Sequence, residues 1–527
     1  MLQIERIKLN LSESEALLRQ KAATALRVSP NDIQTLTILR RSVDAREGVQ
    51  FVYTLRVTVK NEKEVLRRCR SKLVSRVDEK PYRLPRPVTA PQLSPIVVGA
   101  GPGGLFCALA LARCGARPIL LERGWNTERR KADVEHFWQT GELDLNSNVQ
   151  YGEGGAGAFS DGKLNTGIHD PRCRLVLEEL VAAGAPEEIL WQSKPHVGTD
   201  RLCTAVRGLR EQILALGGEV RFRTQVTDIH VENGCLTGLT LHTAQGEEQL
   251  SCDKVILAIG HSARDTLEML HRHGVPMEQK PFAVGVRIEH PREMIDRSQY
   301  GAAAGHPALG AADYKLNIPL PNGRGVYTFC MCPGGEVIAA ASEEGGIAVN
   351  GMSVFARDAR NSNSALLVGV APQDLPSEHP LAGVALQRQM ERAAFALGGG
   401  NYHAPVQLVG DLCADRASRT LGDVEPSYRP GVTPADLREC LPDFVVRSLK
   451  TALPRFGQRL RGFDRYDAVL TGVESRSSSP VRLPRDEHCC CAIQGLYPCG
   501  EGAGYAGGIT SAAVDGIRCA DALIQAL

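Results

Sequence analysis

Apolar and polar residues alternate through 2–9, 32–39 and 49–59, the period of half-buried strands. Ser12 opens a helical stretch between the first two, with Leu17, Leu18 and Ala22 on its apolar side. The first 80 residues are therefore expected to form a small βαββ unit. A short apolar run, Pro95-Ile-Val-Val98, then gives way to Gly99-Ala-Gly-Pro-Gly-Gly104 and a helix carrying Leu105, Leu109 and Ala112. A second run, Pro118-Ile-Leu-Leu121, ends on Glu122. Leu202, Val206, Leu209, Ile213 and Leu216 mark an amphipathic helix, with Asp200 as the expected cap and Gly217 as the stop. From 220 to 251, short runs separated by Asn233-Gly234 and Gln245-Gly246 predict a meander of antiparallel strands. Lys254-Val-Ile-Leu-Ala-Ile-Gly260 reads as a short buried strand. Residues 265–465 mix strands, such as 282–288 and a hairpin around Pro333-Gly-Gly335, with helices such as 384–395. The chain closes on Gly495-Leu-Tyr-Pro-Cys-Gly-Glu501 and a helix striped by Ala513, Ile517, Ala520 and Ile524.

The pattern around Gly99 carries chemistry. Strand, glycine turn, helix, strand and acid make the full context of a dinucleotide fingerprint, G-x-G-x-x-G. Gly99 permits the tight turn, Gly101 lets the backbone approach a pyrophosphate, and Gly104 lets the helix pack on the strand. Glu122 stands where a carboxylate accepts from a ribose. The same spacing recurs at Gly152 and Gly502, without the acid-tipped second strand. One nucleotide site is expected, not two.

Composition changes this picture in three ways. The net charge is +1, but residues 1–90 hold 19 Lys/Arg against 10 Asp/Glu, so a basic module is joined to an acidic body. A module of that shape and charge is compatible with RNA, although Phe51 and Tyr53 are its only candidates for base stacking. Docking onto the acidic body is the simpler expectation. The 16 cysteines include no C-x-x-C and no zinc-type pairing, so free thiols and no metal are expected. No signal-peptide core and no membrane-length apolar run is present, which predicts a cytoplasmic protein.

The long inserts, the meander and the late Gly-Glu segment resemble the two-dinucleotide-binding-domains flavoproteins of the glutathione reductase type. More narrowly, several motifs resemble a poorly characterised family of FAD-dependent dehydrogenases of bacteria and plastids. They are Ser160-Asp-Gly-Lys163, Gly260-His-Ser-Ala-Arg-Asp265, Thr328-Phe-Cys-Met-Cys-Pro333, Thr471-Gly-Val-Glu-Ser-Arg476 and Tyr497-Pro-Cys-Gly-Glu-Gly-Ala-Gly-Tyr505. The resemblance implies an α/β fold with a discontinuous Rossmann-like FAD-binding domain (94–265 and 466–527). An α+β substrate domain (266–465), a βαββ module (1–85) and a Pro-rich linker (86–93) complete it. It implies FAD as cofactor, held by Gly99, Ala100, Gly101, Pro102, Gly103, Gly104, Glu122, Arg123, Asp161, Lys163, Val226, Gly260, Gly500, Glu501, Gly508 and Ile509. Glu501 falls at the ribitol, and the helix after Gly508 at the flavin N1–O2 edge, where a helix N-terminus stabilises negative charge.

The expected activity is dehydrogenase-type transfer of a hydride or electrons through flavin N5. With no second nucleotide fold, NAD(P)H would visit only transiently. The rival readings are an FAD monooxygenase, a flavoprotein acting on RNA, and a non-catalytic flavoprotein. Catalytic candidates are Lys163 in its glycine-bounded loop, His261 after the Gly260 turn, and Arg476 beside Glu474. Each has a plain structural alternative: a solvated lysine, a structural histidine, an exposed ion pair. Cys330 and Cys332 alternate on a predicted strand, so both should face one side. They read either as buried thiols or as a redox pair. Substrate, acceptor and oligomeric state are not legible.

Overall fold

The computed structural model describes every residue except 70, 78–80, 87, 88 and 90. The expected linker at 86–93 therefore lies partly outside the described residues.

The N-terminal module is βαββαβ, not βαββ. Strands Leu2–Asn10, Ile33–Asp44, Gln50–Val59 and Val74–Arg76 are joined by helices Leu18–Leu26 and Glu62–Cys69. The sheet runs, edge to edge, Ile33–Asp44, Gln50–Val59, Leu2–Asn10, Val74–Arg76, the split βαβ arrangement. The second helix has no apolar stripe, since only Val65 and Cys69 are buried. Its glutamates stand in the first turn and its arginines in the last, which suits the helix dipole. Phe51, Tyr53, Leu55, Val57 and Val59 alternate inward and are buried. The two aromatics considered for base stacking therefore belong to the core. The module joins the body along one sheet edge. The Arg41 N–H donates to the Trp191 carbonyl (2.7 Å), and the Ser193 N–H donates to the Arg41 carbonyl (2.8 Å). The Arg41 guanidinium lies 4.8 Å from the Trp191 ring.

Five parallel strands form the nucleotide-binding sheet, in the order Leu496–Pro498, Val255–Leu257, Ile96–Val98, Ile119–Leu121, Glu219–Arg221. The three strands 96–98, 255–257 and 496–498 are wholly buried apolar runs, as expected where helices cover both faces of a sheet. From Ile96–Val98 the chain turns one way to Ile119–Leu121, while Val255–Leu257 lies on the other side. A crevice opens at the carboxyl ends of strands at such a switch point. Helices Pro102–Arg113 and Ile509–Gln525 cross there at close range, for a Cβ on Gly516 would sit 2.0 Å from the Gly103 carbonyl oxygen. Strands Gln225–Glu232, Cys235–Thr243 and Gly246–Ser251 form the expected meander.

The remaining large unit is a seven-stranded sheet. Its order is Asn317–Pro319, Gly325–Cys332, Asn361–Val370, Phe282–Pro291, Val469–Glu474, Ala404–Leu408, Val432–Pro434. Val469–Glu474 pairs with both Phe282–Pro291 and Ala404–Leu408. Residues 469–474, expected with the second part of the FAD domain, thus sit in the middle of the other sheet. Their six residues are all buried, so the strand is a core element of that layer.

Candidate functional site

A cavity of about 340 Å³ opens at the switch point, between the parallel sheet and the seven-stranded sheet. The sequence builds one wall of it from glycine. Gly99 has φ of 98°, and a Cβ there would lie 2.4 Å from the Ala258 carbonyl oxygen. A Cβ on Gly104 would lie 1.8 Å from the Gly99 carbonyl oxygen. The turn can close only without side chains at these two positions. Helix Pro102–Arg113 then starts at Gly101 with no side-chain cap, and Pro102, lacking an N–H, occupies its first turn. Its free amide groups and positive dipole end face the cavity.

Glu122 is buried beside this turn and lines the cavity. It accepts from the amides of Ala100 (2.8 Å), Gly124 (2.9 Å) and Gly152 (2.9 Å). The carboxylate therefore braces two glycine segments, while its remaining lone pair stays available to a ligand hydroxyl. The second glycine segment, 151–157, is fastened from below by Arg130, which is fully buried. Arg130 donates to the carbonyls of Asn148 (2.9 Å), Val149 (2.9 Å), Glu153 (2.7 Å) and Gly155 (2.9 Å). Burial pulls its pKa down to about 10, so it remains cationic.

Another part of the lining is made by the last segment of the chain. Cys499, Gly500 and Glu501 follow strand Leu496–Pro498 into the lining, with Gly507, Gly508, Ile509 and Ala512. Helix Ile509–Gln525 also starts without a side-chain cap. Asp515 reaches back to accept from the Gly500 amide (2.7 Å) and pairs with Arg485 (3.0 Å). The Glu501 carboxyl has no hydrogen-bond partner among the described residues, and burial pushes its pKa up to about 7 against the pull of Lys280.

The seven-stranded sheet and its flanks supply a further wall of the cavity. Lys163 lines it, 3.7 Å from Asp161. Asp161 is fully buried and is held by Arg357 (2.8 Å) and Ser353. It positions Lys163 and does not itself line the cavity. Glu474 is buried in a two-bond pair with Arg287 (2.8 and 3.1 Å). Arg476 lines the cavity but is committed to Glu391 through two bonds (2.9 and 2.8 Å). Glu391 also takes two bonds from Arg264 (2.8 Å each) and one from Ser475 (2.6 Å). The expected loop arginine is thus neither free nor part of an exposed pair. It belongs to a buried Arg–Glu–Arg cluster.

His261 has a tautomer dictated by its neighbours. Gln150 Nε2 donates to the Ala340 carbonyl (3.2 Å), which leaves Gln150 Oε1 to accept from the Ser262 hydroxyl (3.0 Å). Ser262 Oγ has spent its proton and so accepts from His261 Nδ1 (2.9 Å). Nε2 is left without a proton. Burial and the nearby Arg476 and Arg264 pull the imidazole pKa down to about 3, so it is neutral.

Of the sequence-derived positions, Gly99, Gly101, Pro102, Gly103, Glu122, Arg123, Lys163, Val226, Gly260, Gly500, Glu501, Gly508 and Ile509 converge on this one cavity. So do the candidates His261 and Arg476. Ala100 is buried behind the turn, Gly104 packs under Gly99, and Asp161 lies one layer out. Gln150, Ser262 and Asn350 also line the cavity and were not foreseen. Polar residues of this kind are ordinary in loops and on strands and give no sequence signal. Arg130 had none either, since its role depends on a loop folding around it.

The donor set fits FAD. Two uncapped helix N-termini suit a diphosphate and an anionic ring edge. Glu122 suits a ribose, and an unpartnered Glu501 suits a polyol. Comparison with known proteins agrees. Residues 281–477 match the family described as FAD-dependent protein, C-terminal domain-like. Residues 196–359 match FAD dependent oxidoreductase, and 93–274 match pyridine nucleotide-disulphide oxidoreductase. Residues 1–60 match a domain of unknown function. A protein of Clostridium beijerinckii, titled uncharacterized, is 49% identical over 99% of this chain and 98% of its own length. Among solved structures, a flavin-dependent brominase covers 82% of this chain and 81% of its own at 12% identity and a TM-score of 0.39. The glycerol-3-phosphate dehydrogenase of Bacillus halodurans, complexed with FAD, covers 82% and 65% at 12% identity and a TM-score of 0.36.

Proposed function

The chain belongs to a family of FAD-dependent oxidoreductases, and from that premise we propose a dehydrogenase that takes its substrate beside Lys163, His261 and Arg476. The observation that carries this reading is the convergence on one cavity of an uncapped helix N-terminus with Glu122, a second with Glu501, and the group Lys163, His261, Glu474 and Arg476.

Bound FAD supplies the acceptor for a hydride or for electrons. The rest is the work of this chain's residues. The Gly99 turn and the first turn of helix Pro102–Arg113 hold the diphosphate. Glu122, already carrying three amides, accepts from the ribose. Glu501 accepts from the ribitol. Helix Ile509–Gln525 presents its N-terminus to the ring. At the substrate end, His261 Nε2 accepts a hydrogen bond from a substrate hydroxyl or amine, and Ser262 and Gln150 hold it in that state. Lys163 supplies a cation kept in place by Asp161. The Arg264–Glu391–Arg476 cluster fixes the wall between the two sheets.

The test is anaerobic. The purified protein is loaded with FAD, and candidate alcohols, amines and pyridine nucleotides are screened for bleaching of the flavin colour. A donor that bleaches it, with slower bleaching in His261→Ala than in His261→Asn, supports the reading. Substrate oxygenation coupled to rapid oxidation by air would replace it with a monooxygenase.

A further inference from the structure

Strand Gly325–Cys332 pairs regularly with Asn361–Val370 from Val326↔Val368 to Phe329↔Ala365, and then slips, so that Cys332 faces Asn363. Cys330 and Met331 share one partner position, which is a β-bulge. Cys330 has φ of 42° there, a left-handed backbone on a residue that is not glycine. Such backbone strain clusters at working sites, as bulges do. Its effect is to put Cys330 into the cavity lining while Met331 and Cys332 stay buried. Regular alternation would have given both cysteines one face without this bend.

The bulge is held by a charge. Arg287 Nη1 donates to the Cys330 carbonyl (3.0 Å) and lies 3.9 Å from Cys332 Sγ. Arg287 is fixed in turn by Glu474 and by Asn363 (2.9 Å). The Cys332 thiol reaches the Cys330 carbonyl at 3.3 Å. The neighbouring Cys332, with Lys163 and Arg287, holds the Cys330 thiol below its ordinary range despite burial, while Cys332 is raised. Cys252 and Cys440, buried elsewhere, are pushed up to about 12.

We propose that Cys330 and Cys332 are a redox-active dithiol that exchanges two electrons with the FAD in this cavity. The proposal rests on the reading that this cavity holds FAD, with the flavin ring on the side lined by Cys330 and Lys163. In one direction each thiol gives up its proton and the Sγ–Sγ bond forms. The two electrons and two protons pass to FAD, giving FADH2. In the other direction FADH2 returns them, the Sγ–Sγ bond breaks and each sulfur regains a proton. Alternate residues of a regular strand lie about 6.6 Å apart, near the upper limit for a disulfide. The bulge bends the strand between them. A bridge of this span is strained and more easily reduced, as a cycling disulfide must be. The pair lies outside 93–274, so it belongs to the seven-stranded sheet and not to the part matched to disulphide oxidoreductases.

The test uses the FAD-loaded protein, oxidised with ferricyanide and then titrated anaerobically with dithionite. Full bleaching of the wild type should need twice the dithionite that flavin alone consumes, and Cys330→Ser should need only the single amount. In parallel, when the oxidised protein is unfolded in denaturant before labelling, the peptide containing Cys330 and Cys332 should resist iodoacetamide. It should take two labels after reduction. The labelling is read on the wild type, so it decides even where a variant fails to fold. Bleaching of the wild type with the single amount, or double labelling of the oxidised protein, overturns the dithiol. A protein that takes up no FAD instead overturns the underlying reading of the cavity.

Discussion

Glu391 concentrates the electrostatics of the wall between the two sheets. Burial alone would raise its pKa, but Arg476 and Arg264 outweigh it and hold the carboxylate below its ordinary 4.5. Its stabilisation is therefore fully present above pH 4.5 and is lost progressively as pH falls below 4.5 towards the lowered pKa of the folded state. Glu391→Ala takes the paired carboxylate from the buried Arg476 and leaves Arg264 with Glu343 (3.0 Å), and breaking such a buried pair costs about 3–5 kcal/mol. The expected outcome is a clear drop in the denaturation midpoint near neutral pH, narrowing in acid. Glu501 has the opposite sign. Its pKa is raised from 4.5 to about 7, so the folded protein holds its proton more tightly than the unfolded chain. The flavin-free protein should lose stability as pH rises from 4.5 to about 7, and Glu501→Gln should flatten that slope in thermal melts. The same variant should bind FAD more weakly above pH 7, where the wild-type carboxylate is the better acceptor. At this scale the sequence was readable wherever backbone decides. Gly99, Gly104 and Glu122 are dictated by a turn that tolerates no Cβ. It was silent where a side chain works through tertiary partners, as Arg130, Ser262 and Asn350 do.

Two helices carry the site, and their crossing leaves room for nothing larger than glycine. A Cβ on Gly516 would strike the Gly103 carbonyl oxygen at 2.0 Å, so Gly516→Ala must separate helix Ile509–Gln525 from helix Pro102–Arg113. Overpacking of this kind costs about 1–3 kcal/mol. We expect a lower melting temperature together with a reduced FAD-to-protein ratio after gel filtration. Gly167→Ala, with open space around it, should change neither. Element reading from sequence succeeded for the parallel strands 96–98, 255–257 and 496–498, because burial on both faces makes them continuous apolar runs. It failed for helix Glu62–Cys69, whose two buried positions make no stripe, and for the limit of strand Ile33–Asp44, which was expected to end at 39. Asp200 was expected to cap helix Thr199–Ala215. Instead its carboxylate accepts from the Phe355 amide (2.8 Å), a bond between distant segments. The bulge at Cys330 was likewise hidden, since alternation in the sequence continues through it.

The molecule brings together segments far apart in the chain, and this is what makes the site. Strand Ile96–Val98 meets Val255–Leu257, which meets Leu496–Pro498. The return of the chain end was legible because a second strand-glycine-helix pattern stood there without a nucleotide fold of its own. The position of 469–474 was not, because a fully buried strand of six residues fits either sheet. The N-terminal module is a separate layer attached through Arg41 and Trp191. Arg41→Ala with Trp191→Ala should speed hydrogen exchange along strand Ile33–Asp44 and leave the FAD-to-protein ratio unchanged. With Phe51 and Tyr53 in its core, the module offers RNA no aromatic face there, and retention of single-stranded RNA should be weak and abolished by moderate salt. The central claim is that glycine turn and chain end together hold one FAD. The most direct measurement is FAD uptake by flavin-free protein, followed by flavin fluorescence, for wild type, Gly104→Ala and Glu501→Ala. The account predicts one FAD per wild-type chain, essentially none for Gly104→Ala, and weakened binding for Glu501→Ala. Equal binding by all three, or none by the wild type, would contradict it.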